Sequence, residues 1–234
     1  MSEETFDGRD ARIDSEDALR RLHAPPSDLV KKKCVDRLDQ HCRDFIALSP
    51  FLILGTADAD GRADVSPRGD PPGFVKVLDD KTLLVPDRPG NNLLDSLSNI
   101  VANPEVGLLF LIPGFDETLR VNGAAQVVRD PALLAPLAVA GKAVKVAIRV
   151  SVREVYLHCA RSFRRARLWD PAARVPRDRL PSLAKMVLDM SAQAYDPAID
   201  ARVEESMKKL YYLPARHHRP GAAPPRPLDP GRFH

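Results

Sequence analysis

The chain has 234 residues, 44% of them apolar, which is enough to build one sizeable core, and its charged fraction of 29% is ordinary for a globular protein. Thirty-five basic residues against 32 acidic ones leave a formal net charge of +3, too balanced to argue for a nucleic-acid partner. The three cysteines, Cys34, Cys42 and Cys159, contain no CxxC pair and suit reduced thiols in a cytoplasm better than a disulfide framework.

The start, MSEETFDGRDAR, is acidic and polar and lacks the regions of a signal peptide. The longest apolar runs, such as LLFLIPGF, are broken too soon for a membrane span. These features predict a cytoplasmic protein with no membrane partner.

Residues 1–26 read as a loosely held arm that Pro25-Pro26 closes. Ser27-Asp28 offers a cap for one helix in which Val30, Cys34, Leu38, Cys42, Phe45 and Ile46 share a face, and Pro50 ends it. Beyond Pro50 the chain is β-rich. Phe51 to Thr56 and Arg62 to Ser66 flank the turn Asp58-Ala59-Asp60-Gly61 as a hairpin, and Phe74 to Leu78 with Thr82 to Val85 make a second. Val106 to Ile112, Thr118 to Val128 and Val144 to Val152 supply three more strands, the last extended by Val155 to Leu157. Short antiparallel strands with few helices between them predict a β-barrel with helices at its rim.

The stretch from Val85 to Phe110 carries the strongest local signal. Asp87-Arg88-Pro89-Gly90-Asn91-Asn92 ends a strand, and Asn91 or Asn92 caps the helix that Leu93, Leu94, Leu97, Ile100 and Val101 define. Free amides at that helix start beside Arg88 favour a phosphate. The plainer alternative is a capped helix with Arg88 in solvent. Ser66-Pro67-Arg68-Gly69-Asp70 closes the second strand, and if that strand neighbours the one ending at Asp87, Arg68 and Arg88 converge on one anion.

Beyond Cys159 the chain is basic, with helices expected at Arg161 to Leu168, Leu183 to Ala194 and Ile199 to Tyr211. Six prolines between Pro214 and Pro230 make a tail with little means of building a core. The domain expected is therefore residues 27–212, between an arm and a tail from 213 to 234, with no linker that splits it. The cluster Arg161, Arg164, Arg165 and Arg167 reads as a solvated helix face rather than a nucleic-acid site.

The chain lacks GxSxG, HExxH, a Walker loop and GxGxxG after a strand, which removes the common hydrolase, zincin, nucleotide triphosphatase and Rossmann readings. Cys34, His41 and Cys42 resemble a core stripe more than a metal site, since no fourth ligand is in view. His158-Cys159 reads as a half-buried strand end without a placed base, and His217-His218 sits in the solvated tail.

The series SPRGD, PGF, VPDRPGNNLLDSLSNIVANPEVGLLFLIPG, ETLRVNGAAQVV and YLHCARSFRRARLWDP, from about Phe45 to about Leu183, resembles the pyridoxamine 5'-phosphate oxidase-like family of FMN-binding split-barrel proteins. More narrowly, it is similar to the bacterial branch of PPOX-class FMN-dependent flavoproteins. The resemblance implies a mainly β fold, a six-stranded antiparallel split barrel, and a homodimer with FMN at the subunit interface. Carried onto this sequence, it implies flavin contacts from Arg62, Val65, Ser66 and Arg68, and from Val85, Pro86, Asp87 and Arg88. Asn91 and Asn92 stand where the oxidase has a basic pair on the phosphate. Thr118 stands where it has a glutamine near the flavin, and Arg167 and Trp169 loosely match the Arg and Trp that close its site. Arg68, Arg88 and Arg120 are the candidates to stabilise reduced flavin. Without the family's substrate-phosphate set, pyridoxamine 5'-phosphate oxidation itself is not expected. The function implied is an FMN-dependent oxidoreductase acting on an unidentified small molecule, with flavin, haem or deazaflavin binding, sensing or storage without turnover as the alternative.

Overall fold

The computed structural model describes residues 12–139 and 141–210. The first eleven residues of the expected arm and the whole proline-rich tail, including His217-His218, lie outside them. Two compact units divide the chain, residues 1–174 and 175–234.

In the first unit, α1 (Glu16–Arg21), α2 (Asp28–Lys32) and α3 (Gln40–Leu48) precede the hairpin β1 (Phe51–Ala57) and β2 (Ala63–Gly69). Then come β3 (Lys76–Val77), β4 (Thr82–Pro86), α4 (Asp95–Ala102), β5 (Glu105–Leu111), β6 (Thr118–Val128), α5 (Pro131–Leu134), β7 (Ala147–His158) and α6 (Arg161–Ala166). The strands form one sheet in the order β2-β1-β5-β6-β7-β4-β3, and every adjacent pair is antiparallel. The fold is thus mainly β with peripheral helices, as the sequence predicts. It has the seven strands that the sequence pattern sets out, against the six that the resemblance implies, and β3 is only two residues long.

Alternation of side chains places one face of this sheet inside. Leu52 and Leu54 of β1, Val106, Leu108 and Phe110 of β5, Leu119 and Val121 of β6, and Ile148, Val150, Val152 and Val155 of β7 form the main core with Leu83 and Val85 of β4. Ile46 and Cys42 of α3 and Ile100 of α4 join it. β4 is buried on both faces: Leu84 packs into a smaller cluster with Leu137, Val144 and Ala147 under α5.

Strand β7 serves two partners, pairing with β6 along its length and with β4 through residues 147–151. A register shift at Asn122/Gly123 lets it bend between them. Past that bend the edge of β7 is free of β4, and Val35 takes it, exchanging two backbone hydrogen bonds with Val155 at 3.1 and 2.7 Å. That bridge corrects the expected single helix from Ser27 to Ile46. The chain is extended at Val35 and starts a new helix at Gln40, where the Asp39 carboxylate accepts from the Cys42 N–H at 2.8 Å. The strand expected over Phe74 to Leu78 shortens to Lys76–Val77. The α5 helix, not foreseen, is announced by Asp130-Pro131, a cap followed by proline in the first turn.

The second unit holds α7 (Leu183–Met190), capped by Ser182, and α8 (Ala198–Leu210), with Tyr195 donating to Asp200 ahead of α8's second turn. Among the described residues no helix is long and apolar enough to cross a membrane, and no group of three metal-ligating side chains forms.

Candidate functional site

The sheet order leaves β2 at one edge and β4 beside the other, yet their C-terminal ends meet. Two reciprocal ion pairs join them. Arg68 Nη1 donates to Asp87 Oδ1 at 3.0 Å, and Arg88 Nε donates to Asp70 Oδ2 at 2.6 Å. Arg88 Nη2 also donates to the Leu137 carbonyl at 2.9 Å, which ties the pair to the segment under α5. The Asp70 side chain is only 4% exposed, so this is a desolvated carboxylate that needs its guanidinium. Arg68 has one group left over: its Nε is buried with no hydrogen-bond partner. Such an orphaned donor costs about 1–3 kcal/mol unless a ligand meets it.

Beside this seam the chain enters α4 by two left-handed residues, Asn92 at φ 61° and Leu94 at φ 63°. The expected cap is not made. Asn91 Oδ1 instead accepts from the Leu93 N–H at 3.1 Å in a local turn, Leu94 stands at the N-cap position, and no side chain caps the helix. The first-turn N–H groups therefore remain free for an anion. Their position is fixed by a polar network below. Asp64 Oδ2 accepts from Thr56 Oγ1 at 3.4 Å and from Ser96 Oγ at 3.3 Å, and Asn99 Nδ2 donates to Thr56 Oγ1 at 3.1 Å. This clamps α4 onto β1 and β2.

The remaining sequence-derived candidates are spread over the molecule. Ser66 lies on the inward face of β2 between Asp64 and Arg68, while Val65 points outward and is 66% exposed. Arg62 sits at the other end of β2, exposed and ion-paired to Asp58 and Asp60 in the hairpin turn. Val85 and Pro86 are buried just before Asp87. Thr118 is buried opposite His158, and Arg120 faces Tyr156 across the β6–β7 pair. Since Leu119 is on the Arg68 side of the sheet, Arg120 is on the opposite face. Arg167 closes α6 and pairs with Asp170 at 2.6 Å. Trp169 packs near Phe163 and donates Nε1–H to the Phe115 carbonyl at 2.7 Å.

The ion pairs thus gather Arg68, Asp87 and Arg88, with Ser66 on the same face of β2 and Asn91 and Asn92 further along the turn from Arg88, and leave Arg62, Val65, Thr118, Arg120, Arg167 and Trp169 apart from them. Sequence reasoning missed Asp70 as the partner of Arg88, although it stands in the SPRGD motif itself. It also missed the Asp64, Thr56, Ser96 and Asn99 network, whose only sequence trace is the inward parity Asp64 shares with Ser66 and Arg68.

Residues 38–159, just over half of the chain, match the family model described as pyridoxamine 5'-phosphate oxidase. The chain belongs to that family. No curated protein sequence matches it. Among solved structures it is similar to HupZ of Group A Streptococcus, at 18% identity and a TM-score of 0.42, over 50% of this chain and 90% of that one. General Stress Protein 26 of Bacillus anthracis matches at 16% identity and TM-score 0.38, over 50% and 94% of the two chains. An FMN-binding protein from Syntrophomonas wolfei matches at 10% identity and TM-score 0.39, over 50% and 88%.

The donor set at the seam fits the phosphate of FMN. Two guanidiniums are oriented by two carboxylates, so the four groups carry no net charge, and a phosphate is met by directed N–H groups rather than excess charge. The orphaned Arg68 Nε is one such group, and the uncapped start of α4, further along the chain from Arg88, offers others.

Proposed function

We propose that this protein is an FMN-dependent oxidoreductase that exchanges a hydride between a small organic molecule and bound FMN, working as a homodimer in the cytoplasm. The observation that carries the reading is the buried, unpartnered Arg68 Nε at the seam of β2 and β4, beside an uncapped helix, in a chain of this family.

Arg68 and the α4 N–H groups hold the phosphate, with Asp87 and Asp70 keeping the two guanidinium forks aimed. Ser66, on the same face of β2 as Arg68, lies on the approach to it, while Val85 and Pro86, both buried, anchor the strand end that carries Asp87. When bound, FMN supplies the hydride acceptor, and the protein contributes position and electrostatics. The outer face of the sheet supports pairing of two copies: Phe51 and Ile53 of β1 and Leu109 and Leu111 of β5 are only half-buried there, with exposed Val65 alongside. In this reading Trp169 and Arg167 act from the second subunit.

The test is the absorbance spectrum of freshly purified protein, followed by release and identification of the chromophore. Flavin bands released as FMN, one per subunit, with bleaching under a reduced nicotinamide cofactor and recovery in air, support the proposal. A colourless protein that takes up no FMN overturns it, and a bound flavin that no donor reduces leaves a binding protein without turnover.

A further inference from the structure

Where β6 runs past the end of β5, the chain folds back on itself and makes a cradle. β5 pairs with β6 no further than Ala124, and β6 continues beside β7 to Val128, opposite Ala147. The chain then forms α5 and a short turn of helix over Ala135–Leu137. It reverses where Val139 and Lys142 exchange backbone hydrogen bonds at 3.2 and 2.9 Å, and re-enters the sheet as β7. Between the outgoing and returning arms lies a cavity of about 620 Å³, open to solvent, a size within the ~300–1,000 Å³ range of small-molecule sites.

Leu134, Ala135 and Ala138 line one wall, and Ala143, Val144 and Val146 the other. Val144 also belongs to the buried cluster beneath, with Leu84, Leu137 and Ala147, so the floor is packed core. Both arms are fixed from the turn after β4: Arg88 Nη2 donates to the Leu137 carbonyl at 2.9 Å, and the Asp87 N–H to the Val146 carbonyl at 3.2 Å. The cradle is thus preformed. Two of its lining side chains are charged, and both are exposed: Arg129, one residue past the last β6–β7 pair, and Lys145, two residues before it. The cations therefore stand at the strand end of the cradle, while Ala138 and Ala143 flank the chain reversal at the other. Among the described residues no carboxylate lies within 4.0 Å of Arg129 or Lys145.

We infer that this cradle binds a medium-chain carboxylate, with the acid group between Arg129 and Lys145 and the chain laid along the alanine-lined walls. A bare inorganic anion would leave those walls wet, and an uncharged hydrocarbon would meet neither cation. An amphiphile of this polarity satisfies both, its tail covering apolar surface and its carboxylate taking charge-assisted hydrogen bonds. The site uses none of the side chains gathered at the seam and does not rest on the flavin reading. It also lies away from the face on which two copies are proposed to pair. Arg120 is the β6 residue opposite Leu109, and Arg129 lies beyond it by up to about 30 Å of strand, at ~3.3 Å per residue.

The experiment is isothermal titration calorimetry of the protein as purified, with octanoate as the probe and with acetate and octanol as probes of the head and the tail alone. Octanoate should bind saturably and more tightly than octanol, and acetate should give no saturable heat. Arg129→Gln and Lys145→Gln should each weaken octanoate about two- to fivefold, the worth of one exposed ion pair, and leave octanol unchanged. Ala138 is exposed, so Ala138→Trp should fill the cradle without disturbing the core and abolish binding of both, with an unchanged thermal melt. No saturable octanoate binding overturns the inference, and so does equal affinity for octanol. Octanoate binding that survives in Ala138→Trp also overturns it, since the ligand would then sit elsewhere. Flavin content enters none of these readouts, so failure here leaves the flavin reading untouched.

Discussion

Arg68 divides its donors between holding the fold and waiting for a ligand. Its Nη1 holds Asp87, while its Nε meets nothing in the protein. Arg68→Ala should therefore weaken FMN binding by roughly ten- to a hundredfold, the worth of about 1.5–3 kcal/mol for a hydrogen bond to a charged group. Flavin fluorescence titration reads this directly, and an unchanged affinity would remove Arg68 from the site. The cysteines separate by environment. Burial, with the Asp39 carboxylate adding to it, pushes the Cys42 thiol up to about 11. At Cys159, hydrogen bonding to the Arg161 backbone and the nearby cationic side chains outweigh desolvation and lower the thiol's pKa. In native protein at about pH 8, iodoacetamide should label Cys159 first and leave Cys42 untouched until unfolding, as peptide mapping by mass spectrometry would show.

At the scale of elements, the bend in β7 depends on one glycine. A Cβ at Gly123 would sit 2.1 Å from the Ser151 carbonyl oxygen, a backbone atom that cannot step aside. Gly123→Ala should cost about 1–3 kcal/mol in denaturant unfolding, the range for forced overpacking. Helix α3 rests on its cap. The Cys42 N–H donates to Asp39 and holds its carboxyl below the ordinary 3.8. Since the folded value is depressed, this contribution is present above pH 3.8 and is lost as pH falls through the folded value. Asp39→Ala should thus cost about 1 kcal/mol at neutral pH and progressively less in acid below that point, as paired melts at the two pH values would reveal.

These elements also show what a sequence can disclose. The limits of β6, Thr118 to Val128, come from its alternation alone, and β1, β2 and β5 fall within a few residues of their expected bounds. Local pattern sufficed there because one face of each strand is buried. It failed at Val35, where a helical stripe yields to a backbone pairing with Val155, far along the chain. Composition carries no trace of such a partner. The α4 cap failed for a related reason, since Asn91 bonds within its own turn before the helix begins.

For the molecule as a whole, the same limit governs the site. Arg68 and Arg88 were legible as a pair from their turns, but their acidic partners and the orphaned Nε arise only when two ends of a curved sheet meet. The proposed dimer belongs to this scale. Sedimentation equilibrium should give twice the 25.8 kDa chain mass, and Leu109→Asp on the outer face should shift it toward monomer.

The reciprocal ion pairs that join β2 to β4 have a dynamic consequence. Strands adjacent in this sheet are joined by ladders of backbone hydrogen bonds, whereas the seam is closed by side chains. β2 is an edge strand whose Pro67 offers no N–H at all. Its amides should exchange with deuterium through brief local opening, orders of magnitude faster than those of β6 and β7, which wait for global unfolding. The barrel is then a structure with a zip, and a ligand seated on Arg68 would slow exchange first along β2.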